Sequence, residues 1–451
     1  MRNQKNLRSI ALFLAASAAA AFVACAEDGS GTTIGDADAG NGETSTSSSG
    51  TTGIANTSSS SGKTSSSSSS SSSSGKTSSS SSSSSGSTSS SSSSGSTSSS
   101  SSSSSGGISD PTAFWVARVG ATGGGALSNA AAPVFLEERT FTGGSTAAKT
   151  ITLPVAASGA NLPITVGGTS TSEAGLTTSA DGAYVMIAGY PLAPGTAAVK
   201  TVAGKRVIGR ISAAGTIDTS TQIENAFALE SVRAACSIDG NSFWVTGTYD
   251  IPDGGANLGG VHYATLGSTG ARTQVYAELP NLRHCGIFGS QLYATTGQIT
   301  GNPNTLRLFS VGAGTPNTAG QAGTQLPGFQ NDGNPQGFVM LDVGATGSPN
   351  RLYVADAASV GTATSGGVQR WEKVGNSWNK TATFKGQLGS IGIAHVAAAE
   401  IQGKVYVIAV TLENPSRLIR YIDDGSANIG SAVVATAATG TQFRGITRAP
   451  K

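Results

Sequence analysis

Short runs of apolar and β-branched residues alternate with polar turns along residues 108–451. The runs have the length of strands, and Gly, Asp, Asn and Pro residues separate them. No long stretch shows a helical period. Apolar runs bounded by turn residues are typical of strands, so the pattern predicts one large all-β domain.

A two-part repeat runs through this domain. An aromatic residue within a β-rich run recurs every 50 to 70 residues. The six copies are Ala113–Val116, Ala183–Met186, Ser242–Val245, Leu292–Thr295, Leu352–Ala355 and Val405–Ile408. A run that ends in a glycine turn follows most of them: Val207–Ile211, Val261–Leu266, Leu306–Phe309, Val368–Trp371 and Leu418–Tyr421. We interpret each repeat as four strands: a lead strand, the aromatic strand, the strand before the glycine turn and a short outer strand. Irregular repeats of four strands predict a β-propeller, whereas a sandwich needs no ordered repeat and a β-helix repeats at a shorter period.

The two ends of the domain predict a closed ring. Phe443–Thr447 resembles the first strand of a repeat, as in Val232–Ala234, but no second strand follows it. Phe114–Val119, at the start of the domain, is the missing strand. A blade completed from both termini would close the ring and remove two exposed sheet edges. We therefore predict six blades, with room for a seventh in the long interval before Tyr184.

The domain also resembles a family of uncharacterised, Ala/Gly/Thr-rich secreted bacterial proteins. The matching segments are Ser128–Glu137, Leu176–Gly189 and Phe443–Ile446, and the resemblance spans most of residues 113–449. It implies a β-propeller-like fold and a secreted protein, and it implies no catalytic residues.

The N-terminus predicts export. Residues 1–8 carry three positive charges and no acid, and residues 9–24 are almost all apolar or small. A basic segment before a short apolar one is typical of a signal peptide, because the apolar part is too short to span a bilayer.

Cys25 is the predicted lipidation site. Phe22-Val23-Ala24-Cys25 resembles the bacterial lipobox, although Phe22 replaces the usual Leu. Several acyl chains on Cys25 would anchor the protein to a membrane. Ala26, which stands where an Asp would favour the inner membrane, favours the outer membrane or cell surface. Cleavage after Ala26 instead would release a protein that begins at Glu27.

A Ser-rich segment separates the anchor from the β domain. We expect residues 1–24 to be the signal peptide, 25–41 the mature N-terminus, 42–107 a linker and 108–451 the propeller-like domain. The linker is nearly all Ser, Gly and Thr. It has too little apolar surface to offset the entropy of ordering, so we expect disorder and a span of roughly 40–45 Å.

The charge of the chain argues against one class of partner. The net charge is +2, and no basic cluster lies outside the signal, which argues against nucleic-acid binding. We expect the membrane as one partner, through the anchor, and an unidentified protein or glycan as another. We also expect a monomer without a cofactor.

Two cysteines and three histidines are the candidate polar sites of the core. Cys236 and Cys285 occupy equivalent places in consecutive repeats, so they form either a disulfide between neighbouring blades or two buried free thiols. The histidines are His262, His284 and His395. They have no common spacing, so we expect structural histidines and no metal site.

Three arginines suggest a ligand site. Arg233, Arg283 and Arg444 begin strands that line the axis of a propeller. Together they could form a ring for carboxylate or phosphate groups, although solvated arginines are the common alternative. Asp332 lies in an Asn-Asp-Gly-Asn turn that we interpret as a plain turn, not a calcium loop.

The sequence leaves two functions open. The anchor, the linker and the absence of a G-x-S-x-G sequence favour a non-catalytic surface protein that binds or scaffolds a partner. The alternative is a secreted propeller enzyme, hydrolase- or lactonase-like, that acts at the central channel. Several acids or histidines around the channel mouth would favour the enzyme.

Overall fold

The computed structural model describes residues 112–451 except 203, 250–254, 298–305, 330–332, 359–365, 390 and 427–428. Within this part of the chain the strands form six sheets. No helix there is long and apolar enough to cross a membrane. The sheets are the blades of a propeller, and we number them from 1 to 6 along the chain.

The first three blades occupy residues 113–276. Blade 1 contains β1 (Ala113–Val119), β2 (Ala131–Thr140), β3 (Lys149–Thr152) and β4 (Thr165–Gly167). Blade 2 contains β5 (Thr177–Thr178), β6 (Tyr184–Gly189), β7 (Lys205–Ser212) and β8 (Ile217–Glu224), with the short helix α1 (Val199–Val202) before β7. Blade 3 contains β9 (Val232–Ser237), β10 (Ser242–Gly247), β11 (Gly260–Thr265) and β13 (Thr273–Tyr276), while β12 (Thr269–Gly270) pairs with β8 of blade 2.

Blades 4 to 6 occupy residues 284–436. Blade 4 contains β14 (His284–Phe288), β15 (Gln291–Thr295), β16 (Leu308–Val311) and β17 (Gly323–Gln325). Blade 5 contains β18 (Pro335–Leu341), β19 (Arg351–Asp356), β20 (Gly367–Val374) and β21 (Ser377–Phe384). Blade 6 contains β22 (Ile393–Ile401), β23 (Lys404–Thr411), β24 (Arg417–Asp423) and β25 (Ser431–Thr436). The last strand is β26 (Gln442–Arg448).

Both ends of the domain complete blade 1. β26 pairs antiparallel with β1, so that Phe114 lies opposite Arg448 and Val116 lies opposite Ile446. The predicted ring closure is therefore confirmed. Six blades are confirmed too, because the long interval before Tyr184, which the structure describes in full, holds β2, β3 and β4 of blade 1 and β5 of blade 2, and no further sheet.

The innermost strands of the blades surround the axis in chain order. They are β26, β5, β9, β14, β18 and β22, and neighbours around the ring are in contact. Their side chains fill the spaces between blades. Between blades 3 and 4, for example, Trp244 and Tyr276 pack with Cys285 and Phe309 in one buried cluster. The predicted aromatic runs are the second strands of the blades, so their rings contribute to these interfaces.

A buried ion cluster joins blade 5 to blade 6. The Asp423 carboxylate is fully buried and accepts hydrogen bonds from Arg370 at 2.6 Å, from Arg351 at 3.1 Å and from the Tyr353 hydroxyl at 2.5 Å. Burial, with the charge of Asp423 second, raises the pKa of Tyr353. Because three donors surround one carboxylate, its buried charge is compensated across the interface.

Candidate functional site

Two histidines meet on the axis of the propeller. The ring centroids of His284 in β14 and His395 in β22 are 5.3 Å apart, with an angle of 68° between the planes. The edge of the His284 ring also meets Phe338 of β18, at 5.8 Å between centroids. Blades 4, 5 and 6 therefore bring these three rings together at the channel.

Small residues of the other blades make room for the two imidazoles. A Cβ atom on Gly337 would lie 2.7 Å from Nδ1 of His395, and one on Gly175 would lie 3.2 Å from Nδ1 of His284. Gly175 pairs with Ala234 of β9, and a Cβ on Gly445 of β26 would lie 2.0 Å from the carbonyl oxygen of Ala174. We call this set the histidine layer: Gly175, Ala234, His284, Gly337, His395 and Gly445.

The imidazoles of the histidine layer are buried and uncharged at neutral pH. Nδ1 of each ring is inaccessible to solvent and has no hydrogen-bond partner within the described ranges. Desolvation lowers the pKa of His395 to about 4. Desolvation, with the neighbouring His395 second, lowers the pKa of His284 well below 6.5. The layer therefore closes the channel with two neutral rings.

A pocket lies on the axis next to the histidine layer. Its volume is about 210 Å³, and inner strands of five blades line it. His284 borders it, and its apolar wall comes from Ile287, Phe288, Phe338, Met340, Val396 and Ile446. We call this space the axial pocket. It reaches the surface at the end where the inner strands finish, beside exposed Ala180 and Asp181.

The mouth of the axial pocket is polar and carries both signs of charge. Asp181, Arg448 and Lys451 line it. Oδ1 of Asp181 accepts hydrogen bonds from Oγ of Ser179 at 2.6 Å and from the backbone N–H of Ala183 at 3.0 Å, which fixes the carboxylate. The backbone N–H of Lys451 donates to the carbonyl of Gly182 at 2.8 Å, so the C-terminal segment is held at the mouth.

Arg233 and Arg444 both donate hydrogen bonds to backbone carbonyls. Arg233 is fully buried and donates to the carbonyl oxygen of Leu282 at 3.1 Å and to the side chain of Asn281, just before β14. Arg444 donates to the carbonyls of Gly167 at 2.8 Å and Gly168 at 2.5 Å. Arg233 thus binds the segment between blades 3 and 4. Arg444 binds the end of β4, which belongs to its own blade 1, and the residue after it.

Arg283 occupies the equivalent place in blade 4. It is half-buried, and a Cβ atom added to Gly297 would lie 3.2 Å from its Nε. The side chain of Asn334, just before β18, approaches the same point. The anion site at Arg233, Arg283 and Arg444 stays a prediction.

Cys236 and Cys285 come together at the interface of blades 3 and 4. Both are buried free thiols, and the thiol of Cys285 donates to the carbonyl of Trp244 at 3.3 Å. Burial, with a hydrogen bond to Cys285 second, raises the pKa of Cys236. The sequence left a disulfide and two free thiols open. The structure places the pair in contact as thiols, and the disulfide stays a prediction.

His262 has a structural environment. Its Nε2 lies 3.0 Å from the carbonyl oxygen of Leu258, and its Nδ1 lies 2.9 Å from Nη1 of Arg272. The neutral ring donates through Nε2 and accepts through Nδ1, because a guanidinium can only donate. Desolvation, with the charge of Arg272 second, lowers the pKa of His262 to about 3.

Two predicted features lie outside the described residues. They are the lipidation site Cys25, with the signal and linker around it, and the turn at Asp332. In the part that is described, no group of three or more His, Cys, Asp or Glu side chains is placed to hold a metal ion.

The sequence did not predict the meeting of His284 and His395. Their spacing follows no known pattern, so the sequence alone indicates structural histidines with no link between them. A signal was present in the repeat, because Arg233, Arg283 and Arg444 are followed by Ala234, His284 and Gly445. Each of these three residues directly follows an arginine at an equivalent place in its repeat. They therefore lie at the same height along the axis, where one histidine faces small residues of other blades.

No known protein family and no curated protein sequence matches the chain. Solved structures of similar fold include a nidogen/laminin complex, with 13% identity, 74% of this chain and 98% of that chain covered, and a TM-score of 0.40. Virginiamycin B lyase from Staphylococcus aureus has 12% identity, coverage of 71% and 88%, and a TM-score of 0.38. The Aleuria aurantia lectin has 10% identity, coverage of 68% and 93%, and a TM-score of 0.35. Of what the resemblance to secreted bacterial proteins implies, the six sheets of the structure support the β-propeller fold.

Proposed function

We propose that this protein is an exported lipoprotein of the bacterial cell envelope whose propeller binds a ligand in the axial pocket. Cys25 carries the lipid, residues 42–107 separate the membrane from the propeller, and the domain faces the periplasm or the cell surface. The anchor is supported by the basic and apolar segments before Cys25.

The observation that carries binding is the construction of the axial pocket. Five blades contribute to one concave space of about 210 Å³ with an apolar wall and a polar mouth. Binding sites of this kind combine apolar walls with a few placed polar groups. His284, the one member of the histidine layer among the lining residues, adds a buried imidazole to this wall.

One observation favours the alternative, a secreted propeller enzyme. His284 and His395 lie together on the axis, and histidine is the commonest general base in catalysis. Against it, Nδ1 of each ring is sealed from solvent, and one carboxylate, Asp181, lines the mouth among the described residues. We therefore favour binding without turnover.

Fractionation of cells tests the anchor. Wild-type protein is expected in the membrane fraction and labelled by a radioactive fatty acid, and the Cys25→Ala variant is expected in the soluble fraction without label. Ser49→Ala, a change in the predicted linker, is the matched control and should behave as the wild type. Soluble wild-type protein that begins at Glu27 would contradict the anchor.

A further inference from the structure

The axial pocket has the size and the wall of a site for one ring. Phe338, Met340, Val396 and Ile446 are each at most 5% exposed, and the volume is about 210 Å³. A dry cavity of about 150 Å³ with an apolar lining binds benzene. The axial pocket therefore has room for a single aromatic ring with a short substituent.

Aromatic side chains are already placed to receive such a ring. Phe288 and Phe338 lie 5.7 Å apart between centroids with an interplanar angle of 55°. Aromatic pairs prefer tilted or offset contacts at this separation. A third ring beside Met340 would extend the cluster, because a thioether also contacts aromatic rings favourably.

Charged residues of both signs line the mouth of the axial pocket. Asp181 supplies a carboxylate, whereas Arg448 and Lys451 supply two cations. A head group with an ammonium and a carboxylate can place each of them beside a side chain of opposite charge. A head group with a single charge can form only one such pair. Hydroxyl groups of Thr178 and Thr447 line the same rim.

We propose that the axial pocket binds a molecule with one aromatic ring and a zwitterionic head, the chemistry of a free aromatic amino acid. The inference rests on the proposed function, because it takes the axial pocket as the site where the propeller binds its ligand. The ring lies against Phe338 and Met340, and the head stays at the mouth between Asp181 and Arg448.

Calorimetric titration of the full chain, purified from whichever cell fraction holds it, tests this inference with four probes. L-Phenylalanine has both parts, L-alanine has only the head, phenethylamine lacks the carboxylate and 3-phenylpropionate lacks the ammonium. L-Phenylalanine should bind at least about tenfold more tightly than L-alanine, because only its ring is buried. It should bind roughly three- to fivefold more tightly than either singly charged probe, because charge pairs at a solvated mouth are weak. Absence of L-phenylalanine binding, or equal binding of L-alanine or of a singly charged probe, would overturn the proposal.

Two variants with matched controls locate the site. Met340→Trp fills the pocket and should weaken L-phenylalanine binding at least about tenfold, while Val374→Trp, at a position that is 67% exposed on β20, should leave it unchanged. Arg448→Gln, at the half-buried mouth, should weaken binding of L-phenylalanine and 3-phenylpropionate but not of phenethylamine. Lys373→Gln, exposed on β20, should change none of the three. If none of the four probes binds as expected, the proposed aromatic ligand is overturned. The proposed location in the cell envelope is unaffected, because fractionation of the Cys25→Ala variant tests it separately.

Discussion

The imidazole ring of His284 meets that of His395 edge to face at 5.3 Å on the axis of the propeller. The two residues belong to blades 4 and 6. Their strands, β14 and β22, are inner strands, so both side chains lie near the axis. Gly175 and Gly337 leave the space that the rings occupy. The closed channel and the pocket beside it depend on this arrangement.

The buried histidines predict that acid destabilises the fold. In the folded chain the pKa of His395 is about 4 and that of His262 about 3, and the pKa of His284 also lies well below 6.5. The unfolded chain therefore binds more protons between about pH 6.5 and pH 4, so the free energy of unfolding falls as pH falls through this window. For His395 the loss is about 3 kcal/mol, given the shift from 6.5 to about 4.

Thermal unfolding across pH 4 to 7 measures this dependence. His395→Leu removes one titrating ring, so its melting temperature should fall less steeply with acid than that of the wild type. The slope should not vanish, because His284 and His262 remain. Equal slopes for the two proteins would show that His395 is not buried as a neutral ring.

Gly337→Ala should destabilise the propeller. The added Cβ would lie 2.7 Å from Nδ1 and 3.0 Å from Cα of His395, so a ring or a strand must move. Overpacking of this kind costs about 1–3 kcal/mol. Gly125→Ala is the control, because nothing lies within 4 Å of its Cβ, and denaturant unfolding should show a change below about 1 kcal/mol. Equal stability of both variants would contradict the tight packing at His395.

Asp423→Asn should be among the costly polar substitutions. It removes the carboxylate that compensates Arg370 and Arg351 inside the interface of blades 5 and 6. Breaking a buried pair costs about 3–5 kcal/mol, because a charge stays buried without its partner. Glu224→Gln breaks an exposed pair with Lys205 at 3.8 Å and should cost less than about 1 kcal/mol. Similar denaturation midpoints for the two variants would refute the role of Asp423.

The thiols of Cys236 and Cys285 should be unreactive until the protein unfolds. Both are buried, and burial raises the pKa of Cys236, whereas the thiolate is the reactive form. In the Cys25→Ala variant, a thiol reagent should detect no thiol in the native protein and both after denaturation without reductant. Detection of none after denaturation would establish the disulfide instead.

Much of the fold could be predicted from the sequence, because strands and turns are local. The alternation around Tyr353 and Tyr406 indicates second strands, and Phe443–Thr447 lacks a following strand, which predicts closure with β1. The direction of a long side chain is not local. Arg233 and Arg444 lie in inner strands of different blades, as the repeat indicates, but their contacts with the carbonyls of distant segments depend on how those segments pack.

The axial site could not be predicted for a related reason. His284 and His395 meet only when six inner strands stand at the same level, and that level depends on the packing of Gly175, Gly337 and Gly445. The lining of the axial pocket comes from segments far apart in the chain. No local pattern of apolar residues distinguishes those that face the pocket from those between blades.

The methionine methyl groups give the most direct test of ligand binding on the axis. The chain has three methionines: Met1 in the predicted signal, Met340 in the axial pocket and Met186 in the core of blade 2. In a protein labelled with ¹³C at the methionine methyls, added L-phenylalanine should shift the Met340 signal, assigned with Met340→Leu, and leave Met186 unmoved. Saturable L-phenylalanine binding with an unmoved Met340 signal, or equal shifts of both methyls, would contradict a binding site in the axial pocket.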